Sequence, residues 1–150
     1  MTAYEMYMVF FTSIIAISAF YGLVVQFRGM IEERRARESE ILMRITQRWD
    51  SEELIKARQF VARHKDNLRE AIEEYQKQNQ EEYFLLTKVA NYFEDIGSLV
   101  HRGYLRKNLM MDLLGDSANY YYNLYESYIE TTRQKGDPDL YERFEQLAKK

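Results

Sequence analysis

The chain has 150 residues, of which 46% are apolar and 30% charged, and it contains no cysteine. The lack of cysteine excludes disulfides, thiolate metal sites and cysteine nucleophiles. The net charge of −3 is unevenly distributed: residues 28–69 carry 11 Lys or Arg against 8 Asp or Glu, a local +3, and residues 70–150 carry 10 against 15, a local −5. Because phosphate backbones demand concentrated positive charge, this distribution argues against nucleic acid as a general partner.

The segment from Met6 to about Gln26 is predicted to be a transmembrane helix. It contains no charged residue, and about 20 residues at ~1.5 Å each match the ~30 Å hydrocarbon core of a bilayer. A cleaved signal peptide is the alternative, because Ala16-Ile17-Ser18 resembles a cleavage site. Such a peptide should begin with positive charge, whereas only Glu5 precedes Met6 as a charged residue.

Basic residues follow the apolar segment and none precedes it. The positive-inside rule therefore predicts an external N-terminus and a cytoplasmic location for everything after Phe27. We expect residues 1–27 to form the anchor and residues 28–40 a polar juxtamembrane helix that lifts the following domain by ~15 Å. The candidates for contact with an anionic membrane surface are Arg28, Arg34, Arg35 and Arg37.

Small side chains recur along the predicted anchor and are candidates for helix packing in the membrane: Thr12, Ala16, Ser18, Ala19 and Gly22. Such residues let a second helix approach closely, and Ser18 and Gly22 have the small-xxx-small spacing. Small residues are also common in transmembrane helices without a partner, so a specific helix partner is one of two interpretations.

Residues 41–150 are predicted to form a cytoplasmic bundle of about four to five helices, which makes the whole chain all-α. Apolar spacing at Ile41, Leu42, Ile45 and Trp49 marks the entry into this domain. The following helices are predicted from Asp50 or Ser51 to Gln76, from Glu81 to Arg102, from Lys107 to Leu114 with a stop at Gly115, from Asp116 or Ser117 to Gln134, and from Asp137-Pro138 onwards. Gly103 is predicted to end the third of the chain's helices in a left-handed conformation.

Candidate chemistry is sparse. Glu94 and His101 share the narrow polar face of the predicted 81–102 helix and could do acid–base work in a cleft, although such pairs are far more often structural. The sequence lacks a Glu-xx-His pair, a glycine-rich phosphate loop, Gly-x-Ser-x-Gly and His-Glu-x-x-His. We therefore predict no enzymatic activity, no cofactor and no metal.

Thirteen tyrosines stand out in the composition. Those between Tyr121 and Tyr128 fall mostly on one broad helical face, which predicts core positions whose hydroxyls reach a partner or water. Tyr120 projects nearly opposite that face. It is a candidate protein contact, since tyrosine is favoured at interfaces.

Three stretches resemble a family of small bacterial membrane proteins described only as a domain of unknown function. They are the N-terminal anchor, Gln47–Glu53 with Ala57-Arg58, and Asn91–Leu105. That family commonly shows an aromatic residue, two acids, Ile-Gly, a basic pair, and Gly followed by a hydrophobic residue. The resemblance implies a bacterial source, and hence an inner membrane, and a helical cytoplasmic domain. It implies no activity and no functional residues.

The leading functional hypothesis is a non-enzymatic, single-pass membrane interaction module, an accessory or scaffold subunit of a larger membrane assembly. Its partners would be the lipid bilayer and another membrane protein. The alternatives are a ligand sensor and a homo-oligomer assembled through the anchor and the Ile41–Trp49 stripe. An enzyme that uses the face of Glu94 and His101 is the least favoured.

Overall fold

The computed structural model describes residues 2–149, which contain six helices and no strand, so the predicted all-α class is confirmed. The helices are α1 (Ala3–Trp49), α2 (Glu52–Arg63), α3 (Leu68–Gln78), α4 (Gln80–His101), α5 (Lys107–Gln134) and α6 (Glu142–Ala148). The chain divides into two compact units, one that ends at Glu40 and one that begins at Ile41. The long helix α1 contributes to both.

The first unit is the part of α1 that precedes Ile41. Its start is a capping box, in which the Thr2 N–H donates to Glu5 Oε2 at 2.8 Å and the Glu5 N–H donates to Thr2 Oγ1 at 3.4 Å. One 18-residue window of α1 reaches a mean hydropathy of 2.2, and none of its residues is buried. By length and composition, α1 could cross a membrane.

The second unit is built around α4, which packs against α2, α3, α5 and α6. Its buried residues cover much of its circumference: Leu86, Thr87, Val89, Ala90, Tyr92, Phe93, Ile96 and Gly97. A helix with so wide a buried surface needs neighbours on several sides. The observed bounds of α4 lie within one residue of those predicted from its apolar stripe.

The C-terminus of α4 is a Schellman motif. Gly103 has a φ of +73°, its N–H donates to Val100 O at 3.0 Å, and the N–H of Tyr104 donates to Leu99 O at 3.0 Å. This pattern satisfies two carbonyls that the helix end would otherwise leave without a donor. The predicted left-handed glycine is confirmed.

The predicted helix from residue 50 to Gln76 is wrong, because a turn separates α2 from α3. α2 ends at Arg63, and the N–H of Asn67 donates to His64 O at 3.0 Å before α3 begins. The apolar pattern keeps its phase across the turn, since Val61 and Leu68 are both buried. The local signal for the break is Asp66-Asn67, whose side chains favour turns over helix interiors.

The predicted stop at Gly115 is also wrong, because α5 runs through it without interruption. Neither Asp116 nor Ser117 caps a helix. Leu114, Ala118 and Tyr122, four residues apart, are buried on one face. Their burial outweighs the ~1 kcal/mol cost of a glycine inside a helix.

The last helix begins later than predicted. Asp137 and Pro138 start a series of tight turns, with the N–H of Leu140 bonded to Asp137 O at 3.3 Å and that of Glu142 to Asp139 O at 3.1 Å. α6 begins only at Glu142, after Tyr141 in the left-handed region at φ +54°. Pro138 thus occupies a turn, which suits its fixed φ equally well.

Candidate functional site

The contact between α4 and α6 is unusually close. A Cβ placed on Gly97 would lie 2.3 Å from the backbone oxygen of Arg143 and 2.6 Å from its carbonyl carbon. No side chain fits there unless the two helices separate. Next to this contact, the rings of Phe93 and Phe144 stack at 5.1 Å with an interplanar angle of 11°.

Glu94 closes the N-terminus of α6 from a different helix. Its Oε1 accepts from the N–H of Arg143 at 3.3 Å, and its Oε2 accepts from the N–H of Phe144 at 2.7 Å. Tyr141, which precedes α6, provides no side-chain cap of its own. The Glu94 carboxylate therefore satisfies two of the N–H groups that every helix start leaves without a partner.

The other end of α6 is closed by Lys107, the first residue of α5. Its ammonium donates to the backbone oxygens of Gln146 at 2.8 Å and Lys149 at 3.3 Å. A cation at this end also opposes the negative end of the helix dipole. Both ends of α6 are thus capped by side chains from elsewhere in the second unit.

A half-buried ion pair adds to the same attachment. Arg133 Nη1 lies 2.6 Å from Glu145 Oε2, and Arg133 Nε donates to Leu140 O at 3.0 Å. Hydrogen bonds from Lys149 and Arg133 lower the pKa of Glu145 from its ordinary 4.5 to about 2. The Glu145 carboxylate is therefore charged throughout the neutral range.

A cavity of about 220 Å³ lies beside this attachment. It is lined by Gly97, Val100, His101, Lys107, Arg143, Gln146 and Leu147. Arg143 Nη1 lies 3.3 Å from His101 Nδ1 and 2.8 Å from Gln146 Oε1. The guanidinium can only donate, so Nδ1 of His101 is the acceptor and the ring proton belongs on Nε2.

Glu94 and His101, the residues considered for acid–base work, contact different groups in the structure. Glu94 contacts the backbone N–H groups of α6, whereas His101 contacts the side chain of Arg143. Both oxygens of Glu94 are occupied in stabilising a helix start. This geometry assigns Glu94 a structural role in the fold.

The candidate packing residues of the first unit are exposed. The Thr12 hydroxyl donates to Met8 O in the preceding turn at 2.7 Å, so it is satisfied within its own helix. The remaining members are Ala16, Ser18, Ala19 and Gly22, and a Cβ on Gly22 would meet no atom within 4 Å. Within residues 2–149, this face is therefore exposed and no other part of the chain packs against it.

The four candidate arginines of residues 28–37 are all exposed. Arg37 pairs with Glu33 one turn earlier, and both side chains remain largely in solvent. Exposed pairs of this kind contribute about 0–1 kcal/mol. Glu33 thereby offsets the positive charge of Arg37.

The tyrosine cluster of α5 is divided as predicted. Tyr122, Tyr125 and Tyr128 are buried, and the Tyr125 hydroxyl donates to Leu86 O. Burial raises the pKa of Tyr125 well above its ordinary value, so the hydroxyl remains a donor. Tyr120 is 52% exposed, with its ring 5.1 Å from that of Tyr121.

The stripe proposed for self-assembly is largely occupied by the core of its own domain. Ile45 is buried, and Ile41, Leu42 and Trp49 are half-buried and pack against the core. The hydroxyl of Tyr92 donates to Ile45 O at 2.9 Å. This stripe therefore offers little free apolar surface to a second copy.

Sequence reasoning missed the three residues that hold α6 besides Glu94: Gly97, Lys107 and Arg133. Gly97 was visible only as a small residue on the apolar stripe of α4. Lys107 and Arg133 carried no local signal, because their partners lie 39 and 12 residues away. A glycine inside a strongly apolar helix was the one available sign of a close approach.

The chain belongs to the family of domains of unknown function DUF4760, which matches residues 10–150. No curated protein and no solved structure shows significant similarity to it. The membership confirms the resemblance to a family of unknown function, and it assigns neither a source nor an activity.

Several residues of Asn91–Leu105, one of the three stretches that carry the family resemblance, have identifiable structural roles. Phe93 supplies the stacked ring, Glu94 the cap, Gly97 the close approach and Gly103 the helix stop. Asp95 pairs with Arg48 at 2.9 Å. Phe93, Glu94 and Gly97 thus contribute to the surface of α4 that contacts α6.

Proposed function

We propose that this protein is a non-enzymatic interaction module, anchored by a single pass of α1 in a bacterial inner membrane. Its N-terminus would lie outside and residues 41–150 in the cytoplasm. It would serve as an accessory or scaffold subunit whose partners are the bilayer and another membrane protein. The observation that carries the proposal is the fully exposed, strongly apolar window of α1. A helix that is hydrophobic all round belongs in a large core or a membrane.

The geometry around Glu94 supports the non-enzymatic part. A general base needs a free lone pair directed at a substrate proton. Both carboxylate oxygens of Glu94 instead accept backbone N–H groups at 2.7 and 3.3 Å. Taking up a proton would neutralise the carboxylate, weaken both bonds and so destabilise the start of α6.

The orientation can be tested directly because the chain contains no cysteine. Single cysteines would be introduced as Ala3→Cys and Asn119→Cys, at exposed positions in the two units. We expect a membrane-impermeant maleimide to label position 3 in intact spheroplasts and position 119 only after lysis. The reverse pattern would overturn the proposed orientation.

The same membranes distinguish an anchor from a cleaved signal peptide. The intact mass of the extracted protein should include the whole of residues 1–27. A mature chain that begins close to Ser18 or Ala19 would show that the segment before it is a cleaved secretion signal and not an anchor. In that case the second unit would be exported.

The partner can be sought by photocrosslinking from defined positions. A photoreactive residue would replace Tyr120 on the domain or Gly22 in the apolar segment. The matched controls are Phe84, which is 60% exposed, and Phe20, which projects away from Gly22 on the same helix. We expect a discrete adduct from positions 120 and 22 and none from the controls.

The mass of the adduct distinguishes the remaining candidates. An adduct with a different membrane protein supports the accessory-subunit proposal, and one of twice the chain's mass identifies self-assembly. The absence of any adduct from positions 120 and 22 would contradict the interaction role.

A further inference from the structure

The cavity between α4, the start of α5 and α6 has a cationic lining. Three of its seven lining residues can carry positive charge, namely His101, Lys107 and Arg143, and none of the seven is acidic. The surrounding part of the chain is acidic, with a local charge of −5 over residues 70–150. Positive charge is therefore concentrated at this cavity against the trend of the domain.

The two permanent cations retain donors after their contacts with described residues are satisfied. Lys107 uses its ammonium on the backbone oxygens of Gln146 and Lys149, which leaves one of its three protons. The side-chain hydrogen bonds that Arg143 makes with described residues all involve Nη1. A guanidinium has five N–H donors, so Nη2 and Nε remain for a ligand.

The positive charge is only partly compensated. The Arg143 guanidinium pairs with Glu142 Oε1, at 3.4 Å from Nη1, and this oxygen also accepts from Gln146 Nε2 at 2.7 Å. Glu94 is directed at the backbone N–H groups of α6. Arg143 instead lies against His101, whose Nδ1 accepts from Nη1 and whose Nε2 carries the ring proton as a further donor. Such an arrangement favours an anion that would accept from both.

We propose that this cavity binds the phosphate group of a ligand, held by Lys107, Arg143 and His101. A phosphate carries one negative charge as a diester and up to two as a monoester, which two permanent cations can neutralise, and Arg and Lys are the usual donors to phosphate oxygens. The volume of about 220 Å³ is below that of a typical drug-sized pocket, so it suits a phosphate with a small substituent. The phosphate could belong to a soluble metabolite or to a lipid headgroup, and the two sources share this chemistry.

Binding there is expected to stabilise α6, because Lys107 and Arg143 also belong to its attachment. A ligand that binds only the folded state raises the unfolding midpoint by mass action. The readout is therefore thermal unfolding of the full chain in mild nonionic detergent, followed by the fluorescence of Trp49. The probe is inorganic phosphate, with sodium chloride at equal ionic strength as reference.

The key variant is Gln146→Glu, which places a carboxylate next to Arg143 in the cavity. Gln146 Oε1 already accepts from Arg143 Nη1 at 2.8 Å, so the substitution keeps that bond and introduces a competing anion. It also removes the bond that Gln146 Nε2 donates to Glu142 Oε1. Gln76→Glu on α3 is the matched control, since Gln76 is exposed. Lys107→Met is a second variant, which removes one phosphate donor and keeps the aliphatic stem.

In the wild type and Gln76→Glu, we expect phosphate to raise the midpoint saturably by about 4 °C or more. Gln146→Glu and Lys107→Met should lose that rise, whatever their starting midpoints. General salt effects of phosphate on stability act on Gln76→Glu and Gln146→Glu alike. The difference between these two variants therefore reports binding at the cavity.

A second arm identifies the source. The full chain is placed in vesicles of phosphatidylcholine alone or of equal parts phosphatidylcholine and phosphatidylglycerol. A rise that needs phosphatidylglycerol, and that Gln146→Glu abolishes, assigns the site to a lipid headgroup. If neither arm gives a rise, or if Gln146→Glu responds as the wild type does, the proposal is overturned. This test does not depend on whether the partner proposal above is correct.

Discussion

The two units of the chain differ in whether their apolar side chains are buried. In the second unit the chain provides its own cover, so Phe93 and Phe144 are completely buried. In the first unit nothing covers them: Phe10, Ile17 and Leu23 are each more than 60% exposed. Hydrophobic burial is the main favourable term in folding. The second unit therefore buries its apolar side chains through internal contacts, whereas those of the first unit stay exposed.

The space around the glycines differs between the two units in the same way. A Cβ on Gly22 would meet no atom within 4 Å, whereas one on Gly97 would collide with backbone at 2.3 Å. Gly115 is intermediate, because its closest neighbour is the flexible end of Met111 at 2.9 Å. Within the chain itself, a side chain therefore has room at position 22, has none at position 97, and at position 115 requires a shift of Met111.

The largest expected effect concerns the apolar segment of α1. Replacing Ile14 and Ile17 together by Arg should cost about 5–7 kcal/mol of membrane insertion, at ~2.5–3.5 kcal/mol for each central arginine. We expect the variant to leave the membrane pellet after an alkaline carbonate wash. The control is replacement of both residues by Leu. If the double-Arg chain stayed in the pellet, the membrane role of this segment would be wrong.

The next effect distinguishes the glycines of the second unit. Gly97→Ala should lower the free energy of unfolding by about 3 kcal/mol, because α6 must move away from α4 to admit the methyl group. Gly115→Ala should be neutral or stabilising by up to ~1 kcal/mol, since alanine favours the helix and the end of Met111 can move. Urea unfolding of both variants measures the difference. Equal free energies would contradict the close approach seen at Gly97.

A smaller effect separates a structural from a catalytic Glu94. Glu94→Gln removes the charge from the cap of α6 and should cost about 1–2 kcal/mol of stability. The neighbouring Asp95→Asn is the control, because its pair with Arg48 is more than half exposed and should contribute less than ~1 kcal/mol. If Glu94→Gln left stability intact yet abolished a cellular function, Glu94 would be an active-site residue instead.

The smallest effect depends on pH. The lowered pKa of Glu145, about 2 against an ordinary 4.5, means that its charged form stabilises the fold. That contribution is complete above pH ~4.5 and is lost as the pH falls towards 2. The wild type should exceed Glu145→Gln by about 1 kcal/mol at pH 7, after allowance for partial exposure, and by less in acid.

The matched control for this pH effect lies in the first unit. Glu33→Gln removes an acid whose partner, Arg37, is 71% exposed, so stability should hardly change at any pH. Unfolding midpoints of both variants between neutral and acid pH provide the measurement. A difference for Glu145→Gln that did not shrink in acid would refute the ion-pair explanation.

Local signals account for what the sequence predicted well. The periodicity of α4 and its glycine stop at Gly103 are properties of neighbouring residues, and both were predicted correctly. The continuation of α5 through Gly115 was not, because burial of Leu114 and Ala118 decided it and burial depends on residues far away. The helix start predicted at Asp137-Pro138 was wrong for a related reason, since a helix start and a tight turn both favour that pair.

The candidate site shows the same limit. Sequence reasoning placed Glu94 and His101 on one polar face of α4 but could not identify what lies against that face. Its neighbour is α6, whose contacting residues come 42 to 50 positions later in the chain. The most informative local clue, Gly97 within an apolar helix, has no unique interpretation without its partner.

The ends of α6 are capped by side chains of α4 and α5, and this affects how the segment unfolds. Seven residues are too few to remain helical in water, since an isolated helix needs about 12–15 residues even for marginal stability. α6 should therefore lose its helical structure in the same step in which it leaves α4, and the two events form one cooperative unit. Amide hydrogens across the segment would exchange with solvent at a common rate, with no gradual fraying from its ends.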